Sequence, residues 1–170
     1  YYARGEMGSY LPSWHPYEDY RGFYIAKKAL GGGTLLDQSH IFDLTRMFLG
    51  EIRGLYGVST KLSDLDIETD DFGEIVIEME RGTRVSLHID LFSQPTRDYY
   101  HIIGAHGTLQ WHISENTVTH ISADGFRTVH ECGKDKNEMY LDELRYFLRG
   151  IETCQGPSLE DGKAAMDVVE

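Results

Sequence analysis

The segment after a run of glycines at positions 31–33 holds the side chains best suited to moving a proton. Asp37, His40 and Asp43 follow that run, each three positions after the one before. On a helix this spacing places all three side chains on one face. A carboxylate beside an imidazole orients the ring and supports its charged form, which suits general acid–base catalysis. A structural alternative stays open, in which Asp37 caps helix amides and His40 is a satisfied core histidine.

An aromatic block lies upstream, where residues 10–21 read YLPSWHPYEDYR. Aromatic faces beside polar groups suit sugar binding, and Arg21 could grip a carboxylate or a phosphate. The candidate substrate-binding residues are Trp14, His15, Arg21 and, a little further on, Tyr24. The alternative is that Trp14 and the tyrosines anchor an extended segment through hydrophobic contacts.

Nucleotide and metal sites are not expected within the chain. Neither the GxGxxG dinucleotide pattern nor the P-loop pattern occurs in it, and both are the usual phosphate-binding sequences of nucleotide sites. Imidazoles on neighbouring strands can converge on zinc, but the histidines here lack HxH or HExxH spacing, and we interpret them as polar residues of a sheet. These histidines are His88, His101, His106, His112, His120 and His130.

The pattern of apolar residues changes along the chain from helical to alternating and back. It predicts helices over 16–30, 34–49 and 137–151, and a last helix that begins at Pro157 and Ser158. The short links between the alternating segments favour antiparallel hairpins. The order predicts an α+β fold, an open, mainly antiparallel β-sheet with helices packed on one face. The predicted strands are 52–61, 72–80, 83–92, 99–104, 108–113, 117–121 and 126–131, after a possible first strand that ends at Leu11.

The composition describes one acidic domain. The 170 residues, 41% of them hydrophobic, suffice for a core, and no apolar run reaches the roughly 20 residues of a membrane helix. A net charge of −12 argues against nucleic acid, because phosphate contacts need clustered Lys and Arg. Cys132 and Cys154 give no disulfide framework, so we expect a reducing cytoplasm. The first residue is not Met and the last helix lacks a stop signal, so we expect a chain cut at both ends.

Residues 31–44, GGGTLLDQSHIFDL, and the sequence onward to Gly50 resemble the C-terminal domain of the glucose–fructose oxidoreductase / inositol dehydrogenase / rhizopine catabolism (Gfo/Idh/MocA) family. The GAHGTL of residues 104–109 is similar to the family's sheet turn, and the PSLEDG of residues 157–162 is similar to the entry to its last helix. The resemblance therefore covers nearly the whole chain. Many members have four positions from the Asp to the His, whereas here there are three.

The resemblance implies a two-domain enzyme whose N-terminal Rossmann domain, absent from this chain, binds NAD or NADP. All 170 residues would form a single substrate-binding and oligomerisation domain, with homo-oligomers built through the open sheet face. By position, His40 is implied as the general acid/base and Asp37 as its partner, while Asp43, Gly32 and Gly33 have structural or orienting roles. The family's catalytic lysine lies in the missing domain, so the fragment alone is expected to be inactive.

We therefore expect the catalytic, substrate-binding half of an NAD(P)-dependent dehydrogenase of sugar metabolism. The reaction would convert a sugar or a sugar-derived alcohol or ketone in the cytoplasm, with no metal, no nucleic acid and no membrane as a partner. The alternative is a non-catalytic carbohydrate-binding or oligomerisation module of the same fold. A third interpretation, a metal-dependent isomerase that uses the histidines, would require metal in the purified protein.

Overall fold

A computed structural model describes residues 1–131, 133, 136–153, 156 and 158–168. In this part of the chain eight strands form one open sheet in the order β2-β3-β4-β1-β5-β6-β7-β8. Neighbouring strands run antiparallel except β1 and β4, which are parallel. The predicted α+β fold is thereby confirmed. The strands are β1 (Tyr2–Gly8), β2 (Ile52–Thr60), β3 (Phe72–Met79), β4 (Arg84–Asp90), β5 (Arg97–Gly104), β6 (Gly107–His112), β7 (Thr117–Ser122) and β8 (Arg127–Glu131).

The sheet has one face against helices, here called the helix face, and an opposite side called the free face. Successive residues of a strand point to opposite faces, so the alternation in the sequence sorts apolar from polar side chains. On β4, Ser86 and His88 lie on the free face, between residues that are buried on the helix face. The main core comprises Ala3, Ile41, Phe42, Ile75, Ile77, Met79, Val85, Leu87, Ile89 and Tyr100.

The prediction of one helix over 34–49 is wrong in one respect, because the helix is interrupted. Helix α1 spans Thr34–Asp37 and helix α2 spans His40–Leu49. Between them Gln38 has φ −90° and ψ 19°, and the amides of Ile41 and Phe42 bond to carbonyls three residues back. This tight turn ends one helix and starts the next, so Asp37 and His40 do not lie on one continuous helical face.

Helix α2 is fixed to the sheet by both apolar and polar contacts. Ile41 and Phe42 are fully buried in the main core. The Thr45 hydroxyl donates to the Ile41 carbonyl at 2.8 Å and lies 2.8 Å from the buried Tyr100 hydroxyl on β5. His40, at the first position of the helix, is therefore held by a rigid element.

The predicted helix over 16–30 is absent. The segment 11–30 instead forms short 3-10 turns at Leu11–Ser13, Tyr20–Gly22, Tyr24–Ala26 and Lys28–Leu30. The apolar stripe in this segment is only partial. In addition, the Arg21 amide donates a hydrogen bond to the Asp19 carboxylate and forms a local turn, and such turns compete with a helix. A second core of Leu11, Ile25, Ala26, Leu65, Ile67 and Leu91 stabilises the segment in place of a helical ladder.

The two predicted C-terminal helices are present as α3 (Lys136–Thr153) and α4 (Leu159–Met166). Helix α4 contacts α2, and Val168 just after it packs against the main core. Most apolar side chains of α3 are more than half exposed, among them Tyr140, Leu144 and Phe147. Cys132, Cys154 and Pro157 lie outside the described residues. None of the described helices has the length and apolar character needed to cross a membrane.

Candidate functional site

Asp37 is the predicted site residue with the most specific contacts. It ends α1, and its carboxylate accepts a hydrogen bond from the Tyr24 hydroxyl on Oδ1. Its other oxygen accepts from Gln38 Nε2 at 2.7 Å. The hydrogen bond to Asp37 raises the pKa of Tyr24 to about 12. Tyr24 therefore keeps its proton at neutral pH and remains a donor that fixes the carboxylate.

Glycine at position 32 allows the Tyr24 turn to pack closely against α1. A Cβ on Gly32 would collide with the Tyr24 and Ile25 carbonyl oxygens. The turn is also tied to the loop before β3, because the Thr69 hydroxyl donates to the Ile25 carbonyl at 2.7 Å and the Glu68 amide to the Ala26 carbonyl at 3.0 Å. Tyr24 thus reaches Asp37 from a backbone that is held on two sides.

Gly33 and Asp70 fix the start of α1. Gly33 has φ +129°, and a Cβ there would collide with Asp70 Oδ1. The Asp70 carboxylate accepts from the Leu35 amide at 3.1 Å, while its carbonyl accepts from the Thr34 amide at 3.2 Å. A side chain that bonds amides at a helix start satisfies donors that have no partner within the helix. The helix-capping role belongs to Asp70, whereas Asp37 lies at the other end of α1.

His40 and Asp43 both point toward solvent. His40 begins α2 with an exposed side chain, and among the described residues no hydrogen bond joins it to Asp37. Asp43, one turn further along, is exposed and forms an ion pair with Arg46 at 3.4 Å. The structure therefore brings Tyr24, Asp37 and Gln38 together and leaves His40 accessible beside them in sequence.

The residues of the aromatic block mainly make local contacts that support the fold, and they contribute less to the lining of the candidate site. The Trp14 indole donates to Ser9 Oγ at 2.8 Å, and its ring packs on the second core. His15 is exposed with its ring edge-on to Phe23 at 5.4 Å. The Arg21 guanidinium forms hydrogen bonds with Asp19 at 2.8 Å. The structure thus places Trp14, His15 and Arg21 in local contacts, and only Tyr24 of the four touches Asp37.

A cavity of about 180 Å³ opens beside Gln38; we call it the Gln38 cavity. It lies at the end of the sheet where β1 finishes and β5 begins. The residues that line it are Met7, Gly8, Ser9, Gln38, Thr96, Arg97 and Asp98. Sequence reasoning missed Gln38, Arg97 and Asp98, and the one available signal was that Gln38 directly follows Asp37.

A larger cavity of about 480 Å³ lies at the other end of the sheet, between β5 and β8. Its lining includes His106, His120 and His130 together with apolar residues of β5 and β6. Within the described residues no group of three or more His, Cys, Asp or Glu side chains could hold a metal ion. We centre the candidate site on the smaller Gln38 cavity, because Gln38 hydrogen-bonds to Asp37.

A charged network occupies the centre of the free face. His88 lies between Glu74 at 2.8 Å and Asp90 at 2.9 Å. Hydrogen bonding to Asp90, opposed by burial and reinforced by Glu74, raises the pKa of His88. On the adjacent β1, Glu6 is only 3% exposed and accepts from Arg97 at 3.0 Å and from the Tyr99 hydroxyl. Although burial opposes it, these bonds hold the pKa of Glu6 below its ordinary value.

Comparison with known proteins identifies relatives at the level of family and fold. The family model described as the GFO/IDH/MocA C-terminal domain matches residues 1–110, which is more than half of the chain. None of the curated proteins matches the sequence.

Solved structures share the fold over nearly the whole chain. Levoglucosan dehydrogenase in complex with NADH and L-sorbose has a TM-score of 0.81 and 15% identity, covering 99% of this chain and 55% of that one. An NAD binding oxidoreductase from Klebsiella pneumoniae gives 0.79 and 16%, with 99% and 54% covered. UDP-N-acetylglucosamine 3-dehydrogenase GnnA from Acidithiobacillus ferrooxidans gives 0.77 and 14%, with 99% and 50% covered. The chain thus spans about half the length of these proteins.

Proposed function

The chain belongs to the GFO/IDH/MocA C-terminal domain family, and we propose on that premise that it is the substrate-binding half of an NAD(P)-dependent oxidoreductase. The substrate is a sugar or a sugar-derived alcohol or ketone. The observation that carries the proposal is the Asp37 carboxylate, which is held by Tyr24 and by Gln38, a residue that lines a cavity of about 180 Å³. A carboxylate with fixed orientation beside a polar cavity is suitable for positioning a sugar hydroxyl.

In this proposal the residues of the chain bind the sugar and move one proton. A nicotinamide held by the other half of the enzyme would supply the hydride chemistry at the sugar carbon. His40 accepts the hydroxyl proton during oxidation and returns it during reduction, and its exposed side chain at the start of α2 is accessible to a bound sugar. Asp37 orients the reacting hydroxyl, and Tyr24 and Gln38 orient Asp37. An imidazole can both accept and return a proton, which suits this task.

The exposed apolar side chains of α3 support the proposal of a second, dinucleotide-binding half. The chain covers about half of each related structure, and Tyr140, Leu144 and Phe147 on α3 are each more than half exposed. An apolar stripe of this kind is usually covered by another surface. We assign that surface to the Rossmann half, which also supplies the cofactor site and the lysine, so that residues 1–170 alone are inactive.

Two further parts of the proposal concern assembly and location. Several apolar side chains of the free face are exposed, with Tyr56 at 80% and Val76 at 50%, which supports homo-oligomers formed through that face. The sparse cysteines support the cytoplasm as the location.

The proposal is tested by His40→Ala and Asp37→Asn in the full-length enzyme. We expect each to lower kcat for NAD(P)+-dependent sugar oxidation at least about a hundredfold, since general acid–base catalysis contributes that much. Circular dichroism and the urea midpoint should stay close to wild type, because both side chains lie at the surface or partly exposed. His106→Ala, in the β5–β6 turn, is the matched control. Unchanged turnover in both variants would instead support a non-catalytic module.

A further inference from the structure

We infer that the ring which enters the Gln38 cavity carries hydroxyl groups and no carboxylate or phosphate. The inference rests on the proposed function and names its substrate class, an uncharged sugar or polyol. Its basis is the balance of charge around the cavity, together with the kinds of hydrogen-bonding group that line it.

Among the described residues one guanidinium lines the cavity, and it is already compensated. Arg97 Nη1 lies 3.0 Å from Glu6 Oε1, and Glu6 is 3% exposed. A buried carboxylate that lost its cation would carry an unpaired charge, so Arg97 is held to Glu6 and not available to neutralise an incoming anion. Arg4 is a second cation near Glu6, at 3.8 Å, and it also faces that carboxylate.

One carboxylate lines the cavity, and two others contact residues of its lining. Asp98 lines it and accepts from Ser114 Oγ at 2.7 Å, and Asp37 is joined to the lining through Gln38. With Glu6, which lies outside the lining, these three carboxylates exceed the two guanidinium groups of Arg97 and Arg4 by one negative charge. A phosphate or carboxylate on the ligand would meet a net negative potential, and like charges at close range oppose binding.

The uncharged groups of the lining match sugar hydroxyls, which both donate and accept hydrogen bonds. Ser9 Oγ accepts from the Trp14 indole at 2.8 Å and keeps its own O–H as a donor. Gln38 uses one N–H for Asp37, which leaves its second N–H and its carbonyl oxygen. Thr96 adds a hydroxyl, and Met7 adds an apolar surface for the C–H side of a ring.

The size of the cavity agrees with one ring. Its volume of about 180 Å³ is below the roughly 300 Å³ at which pockets for whole drug-sized ligands begin. A single monosaccharide unit is therefore the part of a substrate that this cavity takes. Gln38 connects the occupied cavity to Asp37, so binding of the correct ring and orientation of the catalytic carboxylate are linked.

The test measures NADH and NADPH formation by the full-length enzyme with matched pairs of substrates. The pairs are D-glucose with D-glucuronate and with D-glucose 6-phosphate, and D-galactose with D-galacturonate. In each pair that is active, we expect kcat/KM of the neutral member to exceed that of the acidic member at least about tenfold. Preference for an acidic member would overturn the inference while leaving the proposed function in place. Absence of turnover across all pairs and both cofactors would count against the proposed function, and the inference would fall with it.

Two variants test whether the preference for neutral substrates arises in the Gln38 cavity. Asp98→Asn removes one carboxylate, and Thr96→Lys adds an uncompensated cation at an exposed position that tolerates substitution. Each should raise the ratio of acidic to neutral kcat/KM about five- to tenfold. Asp64→Asn, an exposed carboxylate in the loop before β3, should leave the ratio unchanged. If neither cavity variant changes the ratio while the control behaves as expected, the cavity does not select the substrate charge and the inference is wrong.

Discussion

At the scale of single residues, the hydrogen bond between Tyr24 and Asp37 determines the orientation of the carboxylate in the candidate site. The Tyr24 hydroxyl donates to the carboxylate, and this bond raises the pKa of Tyr24 to about 12. A donor with such a pKa stays protonated over the pH range in which most enzymes work. Gln38 holds the other oxygen of the same carboxylate, so both oxygens are fixed before a substrate arrives.

We expect Tyr24→Phe to lower kcat about 10- to 100-fold in the full-length enzyme, because a hydrogen bond to a charged group contributes that much when it positions a reacting group. The free energy of unfolding should fall by less than about 1 kcal/mol, since Tyr24 is 52% exposed. Steady-state kinetics and urea unfolding measure the two effects. Tyr17→Phe, at a side chain that is 82% exposed, is the control. Wild-type kcat in the Tyr24 variant would show that the bond does not orient Asp37.

Residue types and spacing were enough to select Asp37, His40 and Tyr24 as candidates, because an acid, an imidazole and an aromatic hydroxyl stand out in a short stretch. They could not show that Tyr24 reaches Asp37, since that contact requires the 3-10 turns that replaced the predicted helix. For a related reason, the sequence could not identify Arg97 and Asp98 as residues of the site. They join the cavity only because β5 pairs with β1, almost a hundred residues away in sequence.

At the scale of elements, the glycine run is a joint between the Tyr24 turns and α1. Gly33 has φ +129° with ψ 150°, a backbone conformation that residues other than glycine rarely adopt. The same residue leaves space for Asp70, which bonds to the start of α1. The position of Asp37 at the end of this short helix therefore depends on a residue four positions before it.

Gly33→Ala should lower the free energy of unfolding by at least about 2 kcal/mol, because backbone strain and a collision with Asp70 act together. Activity should fall further than stability explains, since a shift of α1 displaces Asp37. Urea unfolding and kinetics on the same preparations measure both. Gly54→Ala, in β2 with open space around its Cα, should cost nothing or stabilise slightly. Equal stability of the two variants would contradict the role given to Gly33.

The free-face network gives the fold a dependence on pH. Hydrogen bonding to Asp90 and Glu74 raises the pKa of His88 above its ordinary 6.5, against the effect of burial. A raised folded-state pKa means that the stabilisation is complete below about pH 6.5 and is lost as pH rises through the folded value. The pKa of Asp90 is lowered by bonds from His88 and Ser93, although burial opposes this. The stabilisation from Asp90 is therefore present above about pH 3.8 and is lost as pH falls.

His88→Gln should remove the decline in unfolding free energy that wild type shows as pH rises above about 6.5. Glutamine keeps a polar side chain of similar reach but does not titrate, so the alkaline slope should flatten. The acid slope should keep the part that Ser93 and the backbone amides contribute through Asp90. Thermal unfolding at fixed protein concentration between pH 5 and 9 measures the effect. His106→Gln, an exposed histidine in a turn, should keep the wild-type slope. A slope that persists in the His88 variant would assign it to another group.

Element by element, the sequence predicted strands better than helices. Apolar and polar residues alternate along β3 and β4 because the fold buries one face of these strands. The helix over 16–30 was predicted from a partial stripe and favourable end residues, but Ile25 and Ala26 are buried against Leu65 and Leu91 from distant parts of the chain. Tertiary contacts of this kind override local preference and leave no local signal.

At the scale of the whole molecule, the free face combines a polar centre with exposed apolar side chains. Cross-strand registers align Tyr56 with Val76 and, across the sheet, Tyr2 with Ile103. These four are all partly or largely exposed, as are Val58 and Val129 on the same face. Burial of such side chains against a second copy would gain hydrophobic stabilisation, and charged groups such as Glu78 and Arg84 would fix the register of the two copies.

Val76→Arg is expected to raise the dissociation constant of the proposed homo-oligomer at least about tenfold. Its side chain is 50% exposed at the free face, so the folded subunit accommodates arginine, whereas an interface would bury a charge without a partner. Sedimentation velocity over a concentration series measures the change on the full-length protein. Leu62→Arg, at a residue that is 61% exposed in the loop before β3, makes the same chemical change away from that face and should leave association unaltered. If Val76→Arg associates like wild type, or if Leu62→Arg weakens association as much, the subunits do not meet through the free face. Loss of association in the first variant alone would place the contact on β3 and its neighbours.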